Sequence, residues 1–103
     1  MPFVIQHDRA AHRFETQVDG AECELDYTLT VGLAVGLTAR PCVAVMTITH
    51  TGVPPEVGGR GIAAALVQAA FEAASSGGWK VVPACSYAAV WIGRHPEYRA
   101  LCA

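Results

Sequence analysis

A chain of 103 residues, of which 52% are hydrophobic and 16% charged, has the composition of a folded domain, which excludes a disordered protein. The formal net charge of −2 argues against a broad basic surface for nucleic acid. Residues 1–56 carry three basic and seven acidic groups, whereas residues 57–103 carry four basic and two acidic groups, so we expect an anionic ligand to bind the C-terminal half.

The chain shows no targeting or membrane signal. Its first residues contain no basic segment followed by an apolar core, and the longest uncharged run before Arg40 is too short for a membrane span. Four cysteines, none of them in a Cys-x-x-Cys pair, indicate neither a zinc nor a dithiol redox site. We therefore expect one domain over residues 1–103, a cytoplasmic monomer or weak homodimer with reduced thiols that binds no metal, nucleic acid or membrane.

The first half of the chain predicts three antiparallel strands. Residues 13–18 form the first, and Asp19-Gly20 is a strong signal for a two-residue hairpin turn. Polar and apolar side chains alternate over residues 22–31, which is typical of a strand with one solvent-exposed face. We expect a hairpin connection over residues 31–41, where two glycines interrupt the pattern, and a third strand over residues 42–50.

The third predicted strand is apolar on both parities near its start. That pattern predicts a central strand that is buried on both faces of the sheet. The strand ends at His50, which shares its parity with Met46 and Ile48. We therefore expect the His50 side chain on the same face as these two core residues.

The second half predicts a glycine-rich turn and a strand between two helices. Glycines at 58, 59 and 61 precede an alanine-rich helix over residues 62–76, which Gly77-Gly78 ends. A short strand over residues 79–83 and a helix over residues 86–94 follow. A strand, a helix and a strand in this order form a right-handed unit with parallel strands. The sequence thus predicts an α+β fold with a mixed sheet, antiparallel N-terminal strands, one parallel βαβ unit and two main helices.

The glycine turn matches a dinucleotide-binding pattern in the wrong context. Residues 59–64 fit G-x-G-x-x-G/A, but eight residues separate His50 from Gly59, and three strands come first. Lys80 stands about where an acid should hold a ribose. A nucleotide site is therefore the weaker interpretation, although glycines and an arginine at a helix start still favour an anion site.

Two segments together resemble the GNAT superfamily of N-acetyltransferases, in particular its minimal single-domain members. They are His50-Thr-Gly-Val-Pro-Pro-Glu-Val-Gly-Gly-Arg-Gly-Ile-Ala63, and Lys80-Val-Val-Pro-Ala-Cys-Ser-Tyr87 with the later Arg94-His-Pro-Glu-Tyr98. The resemblance extends over residues 13–101. It departs from the superfamily pattern at Glu56, where a glutamine or arginine is usual. An acid beside a pyrophosphate loop is unfavourable unless it points away, and we interpret Glu56 as a mark of the minimal members.

The resemblance implies acetyl-CoA as co-substrate. Loop 57–61 and the following helix start would wrap the pyrophosphate, and the pantetheine arm would lie between the third and fourth predicted strands. The residues implied in CoA binding are Val53, Gly58, Gly59, Arg60, Gly61, Ile62 and Ala63, with Arg94 and His95 as candidates for the CoA phosphates. A solvated helix end is the alternative for the last two.

Three residues are candidates for the chemistry. Cys85 ends the fourth predicted strand, where its thiol can accept an acetyl group; the alternative is a structural cysteine. His50 ends the neighbouring parallel strand and is a candidate base, so we expect the two side chains within hydrogen-bond reach, with a loop-capping role for His50 as the alternative. Tyr87, like Tyr98, is a candidate acid for the leaving CoA thiolate, unless its ring only packs.

The predicted function is transfer of an acetyl group from acetyl-CoA to an unidentified amine, small molecule or protein, by direct attack or through Cys85. The alternative is a non-catalytic acyl-CoA-binding module, since no acceptor pocket is recognisable.

Overall fold

The computed structural model describes residues 3–32 and 43–102. The described part of the chain forms a five-stranded sheet and two main helices. In chain order the elements are β1 (Gln6–Asp8), β2 (Arg13–Val18), β3 (Ala21–Gly32), β4 (Val43–Gly52), a 3₁₀ turn (Pro55–Val57), α1 (Ile62–Gly77), β5 (Lys80–Pro83), α2 (Ser86–Arg94) and a 3₁₀ segment (Pro96–Leu101). The predicted connection over residues 31–41 lies outside the described residues, except for Val31 and Gly32 at the end of β3.

The strands lie side by side in chain order. The pairs β1–β2, β2–β3 and β3–β4 are antiparallel, and β4–β5 is parallel. Asp19 and Gly20 join β2 to β3 with φ of 51° and 79°, the positive values that the predicted two-residue hairpin turn requires. The predicted mixed sheet is therefore confirmed. The sequence analysis missed β1, which is only three residues long.

Both helices pack on one face of the sheet. Phe71 of α1 and Trp91 of α2 stack with ring centroids 5.2 Å apart, and both belong to the core formed by the inward side chains of the strands. Met46 and Ile48 are fully buried under them, whereas Thr47 between them is only half-buried. The prediction that this central strand is buried on both faces was wrong, because no helix covers the second face among the described residues.

A β-bulge in β4 changes which way the end of this strand faces. Asp26 of β3 pairs with His50, but the next residue, Tyr27, pairs with Ile48, so Thr49 is the extra residue. Because side chains alternate with period two, the extra residue moves His50 to the open face and turns Thr51 toward the helices. The prediction that His50 shares a face with Met46 and Ile48 was therefore wrong.

The helix α1 follows the predicted pattern closely. Its buried residues are Ile62, Ala65, Leu66, Val67, Ala70, Phe71 and Ala74, while Gln68, Glu72, Ser75 and Ser76 form the exposed stripe. Gly78 ends the helix with φ of 72°, and its N–H bonds to the carbonyls of Ala74 and Ser75. Within the described ranges, no helix combines the length and apolarity needed to cross a membrane.

Candidate active site

The strands β4 and β5 separate at the edge of the sheet where both end. They pair from Val45–Lys80 to Ile48–Pro83, and the N–H groups of Ala84 and Cys85 then both bond to the Ile48 carbonyl, at 3.1 and 2.9 Å. Beyond this point β4 continues to Gly52, while the other chain turns into α2. The two strands therefore stop pairing at the place where the resemblance implies an opening, and we call this place the strand split.

The glycine turn after β4 leaves a run of backbone N–H groups without partners. Gly59 and Gly61 have φ of 80° and 81°, and Gly61 begins α1 without a side-chain cap. No N–H group of residues 59–64 has an acceptor among the described residues. Successive N–H groups of this kind, at the positive end of a helix dipole, form a concave site for an anion.

Two charged side chains, those of Arg60 and Glu56, lie at or beside this turn. The guanidinium of Arg60 bonds to the carboxylate of Asp19 in the β2–β3 turn, and both side chains are about half-exposed or more, at 48% and 67%. Glu56 is exposed on the 3₁₀ turn, whose buried residue is Val57. Arg60 therefore ties the glycine turn to the β2–β3 turn rather than extending freely into solvent.

Cys85 lies at the strand split and caps α2. Its Sγ accepts the N–H of Ala88 at 3.3 Å and lies 3.5 Å from the hydroxyl oxygen of Thr51. The residue is half-buried, in contrast to Cys23, which is 1% exposed. Burial raises the pKa of the Cys23 thiol, and the nearby carboxylates of Glu24 and Glu56 raise it further. Of these two thiols, the accessible one is therefore the one at the split.

His50 lies on the other face of the sheet from Cys85. Its Nε2 is 3.2 Å from Oε2 of Glu24 on β3. Gly52 makes room for this pair, since a Cβ on Gly52 would lie 2.8 Å from His50 Nε2. The predicted hydrogen bond between His50 and Cys85 is not formed, because the bulge at Thr49 puts Thr51 rather than His50 beside the thiol.

Comparison with known proteins agrees with the sequence resemblance. The family model of the GCN5-related N-acetyl-transferases matches residues 13–101. The chain belongs to this family. A solution structure of a GCN5-like protein from Staphylococcus aureus, described there as a candidate N-acetyltransferase, matches with a TM-score of 0.67 at 24% identity, covering 97% of this chain and 87% of that chain. At this identity the match establishes the fold, which confirms the predicted α+β architecture.

Other predicted CoA-binding residues of this GCN5-related chain lie at different distances from the split. Val53 follows β4 and packs against the core, and Ile62 and Ala63 form the first turn of α1. Arg94 and His95 lie at the far end of the nine-residue α2, about 13 Å from Cys85. His95 stacks on Trp91 at 3.9 Å. Their assignment to the CoA phosphates stays a prediction, and no contact among the described residues supports it.

The two tyrosines predicted as candidate acids, Tyr87 and Tyr98, lie in different surroundings. Tyr87 is in the first turn of α2, 40% exposed and two residues from Cys85. The hydroxyl of Tyr98 instead donates to Glu72 of α1 at 3.4 Å. Burial and the Glu72 carboxylate raise the pKa of Tyr98. Tyr87 is therefore the tyrosine that lies near the thiol.

A separate cleft of about 450 Å³ lies along β1, β2 and β3. Glu15, Glu22 and Glu24 are on its wall, so Glu24 belongs both to the cleft and to the pair with His50. Within the described ranges no group of three His, Cys, Asp or Glu side chains is arranged to hold a metal ion.

The sequence analysis did not identify Thr51 or Glu24 as partners of the predicted site residues. Thr51 contacts Cys85 only because of the bulge, and Glu24 contacts His50 for the same reason. The polar alternation of β3 indicates that Glu24 is exposed, but it contains no signal for the residue opposite.

Proposed function

We propose that this chain is an acetyl-CoA-dependent N-acetyltransferase whose acetyl group passes through Cys85 to an amine. The observation that carries the proposal is the run of unpartnered N–H groups over residues 59–64, which begins a helix beside the strand split. Membership in the GCN5-related family supports the same activity.

The geometry of the glycine turn suits the pyrophosphate of CoA. A Cβ at Gly59 or Gly61 would meet no described atom within 4 Å, so the turn is open to a ligand, and the positive φ values are what require glycine. The first turn of α1 adds the positive end of the helix dipole. The pantetheine arm would then lie along residues 49–53 in the strand split, with the thioester toward Cys85.

The proposed chemistry has two steps. The thiol proton of Cys85 goes to solvent, and Sγ bonds to the acetyl carbonyl carbon. The bond from that carbon to the CoA sulfur breaks, and Tyr87 or solvent protonates the leaving CoA thiolate. An amine then attacks the acetyl group on Cys85, the carbon–sulfur bond breaks, and the sulfur keeps the electron pair. The proton that the amine loses goes to solvent, because His50 and Glu24 lie on the opposite face of the sheet from Cys85.

The cofactor site is tested by a pair of valine variants. A β-branched residue at positive φ costs about 1–2 kcal/mol, so Gly61→Val and Gly78→Val should destabilise the two ends of α1 equally. In calorimetric titration with CoA, we expect Gly78→Val to bind like the wild type and Gly61→Val to lose at least tenfold in affinity. Equal affinity for both folded variants would contradict the pyrophosphate site.

The transfer is tested by mass spectrometry after incubation with acetyl-CoA. We expect acetylation of Cys85, and loss of that label when a lysine-containing peptide or a polyamine is added. If amines are acetylated at an unchanged rate by Cys85→Ser, the route is direct attack. If CoA binds but neither thiol nor amine is acetylated, the chain is the non-catalytic binding module.

A further inference from the structure

We propose that Thr51 is a positioning residue for Cys85, whose hydroxyl orients the thiol and donates to its sulfur once the proton has left. The inference rests on the proposed function of Cys85 and adds the group that prepares this side chain.

The contact itself joins two groups of suitable chemistry. Among the described residues, Thr51 Oγ1 is the side-chain oxygen within hydrogen-bond distance of Cys85 Sγ, at 3.5 Å. The sulfur already accepts the N–H of Ala88 at 3.3 Å. A hydroxyl can accept the S–H of the thiol and, after rotation, donate to the thiolate, so the same pair serves both protonation states.

Other threonines of the described chain use their hydroxyls differently. Thr16 donates to the carbonyl of Val4 at 2.8 Å, and Thr49 donates to the carbonyl of Asp26 at 3.3 Å. Thr51 has no such backbone acceptor among the described residues, and its partner there is the thiol. Its hydroxyl can therefore accept a hydrogen bond from the thiol of Cys85 or donate one to the thiolate.

The bulge explains why this residue lies beside the thiol. Without the extra residue Thr49, the period-two alternation of β4 would turn His50 toward the helices and Thr51 away from them. The bulge instead places a hydroxyl against Cys85 and a histidine on the opposite face. The two groups are thus on opposite faces of the sheet, and the hydroxyl is the one that lies beside the thiol.

The test is the alkylation rate of Cys85 by iodoacetamide at neutral pH, measured by peptide mapping of the folded protein without acetyl-CoA. Thr51→Val keeps the shape and removes the hydroxyl, and Thr51→Ser restores the hydroxyl without the methyl group. Thr47→Val, on the open face of the same strand, is the matched control. We expect Thr51→Val to react about three- to tenfold more slowly, because loss of a donor to the thiolate outweighs the gain in nucleophilicity.

We expect Thr51→Ser to stay within about twofold of the wild type and Thr47→Val to be unchanged. A purely structural role would slow the serine variant as much as the valine variant. Equal rates for Thr51→Val and wild type, or a wild-type Cys85 that reacts only on unfolding, would overturn the inference. Because alkylation needs no acetyl-CoA, a Thr51 effect without any acetyl transfer would instead count against the proposed function alone.

Discussion

The two main helices begin in opposite ways. The helix α1 starts at Gly61 with no side-chain cap, and its first N–H groups have no described partner. The helix α2 starts at Cys85, whose Sγ accepts the N–H of Ala88. Both starts lie where β4 and β5 end, so one helix end is open to an anion while the other holds a thiol in place. The proposed anion site depends on this difference, because a capped start of α1 would have fewer N–H groups left for a ligand.

Filling the open end of α1 should give the largest effect. A carboxylate in the first turn, as in Ala63→Glu, interacts favourably with the helix dipole, worth about 0.3–1 kcal/mol, but repels a bound phosphate. We expect CoA affinity to fall at least tenfold while the melting temperature of the free protein holds or rises.

Ser76→Glu, at the exposed C-terminal turn of the same helix, is the control for Ala63→Glu and should leave CoA affinity unchanged. Calorimetric titration and thermal melting measure the two quantities separately. A loss of affinity that is matched in the Ser76→Glu protein would show a general charge effect and contradict the comparison.

Removing the cap of α2 should give an intermediate effect on stability. Serine caps helices well and alanine does not, so Cys85→Ala should lose about 0.5–2 kcal/mol of unfolding free energy, and Cys85→Ser should lose little. Denaturant titration of the two variants measures the difference. Equal stability of the alanine and serine proteins would mean that the contact between Cys85 and Ala88 contributes nothing as a cap.

The smallest effect is expected at His7, far from both helix starts, where the stability of the fold should depend on pH. His7 bonds through Nε2 to the hydroxyl of Tyr27 at 2.7 Å and stacks on Phe14 at 4.0 Å. Burial and then the charge of Arg9 lower the pKa of His7 below its usual 6.5; Asp8 opposes them, and His12 has a smaller lowering effect. The folded state thus favours the neutral ring.

This stabilisation should be complete above pH 6.5 and decrease as the pH falls below it, because the unfolded chain takes up the proton first. In thermal melts between pH 5 and 8, we expect His7→Gln to flatten this slope. CoA affinity should not change in the variant, since the Tyr27 ring lies against Trp79, beyond the C-terminal end of α1. A slope that survives in His7→Gln would assign the titration to another group.

Much of the fold follows from local patterns. The alternation over β3, the Asp19-Gly20 turn and the alanine-rich α1 each depend on neighbours within a few residues, and each was predicted correctly. The strand β1 has three residues and no usable period, so it was missed.

The candidate site likewise has parts that could be predicted from the sequence and parts that could not. The glycine turn and its helix start could be located from sequence because positive φ requires glycine at Gly59 and Gly61. The position of Cys85 at the end of a strand was equally local. The partners of Arg60, His50 and Cys85 were not, since Asp19, Glu24 and Thr51 are all more than twenty residues away in the chain.

By itself, then, the sequence determined where most of the strands, turns and helices form and which turn has the glycines that positive φ requires, because those properties depend on backbone propensity and on short-range periodicity. Only the tertiary structure decided which side chains meet at the strand split. One extra residue in β4 has no sequence signature, yet in a structure of period two it exchanges the faces of His50 and Thr51. Pairing between β3 and β4 therefore set the chemistry around Cys85.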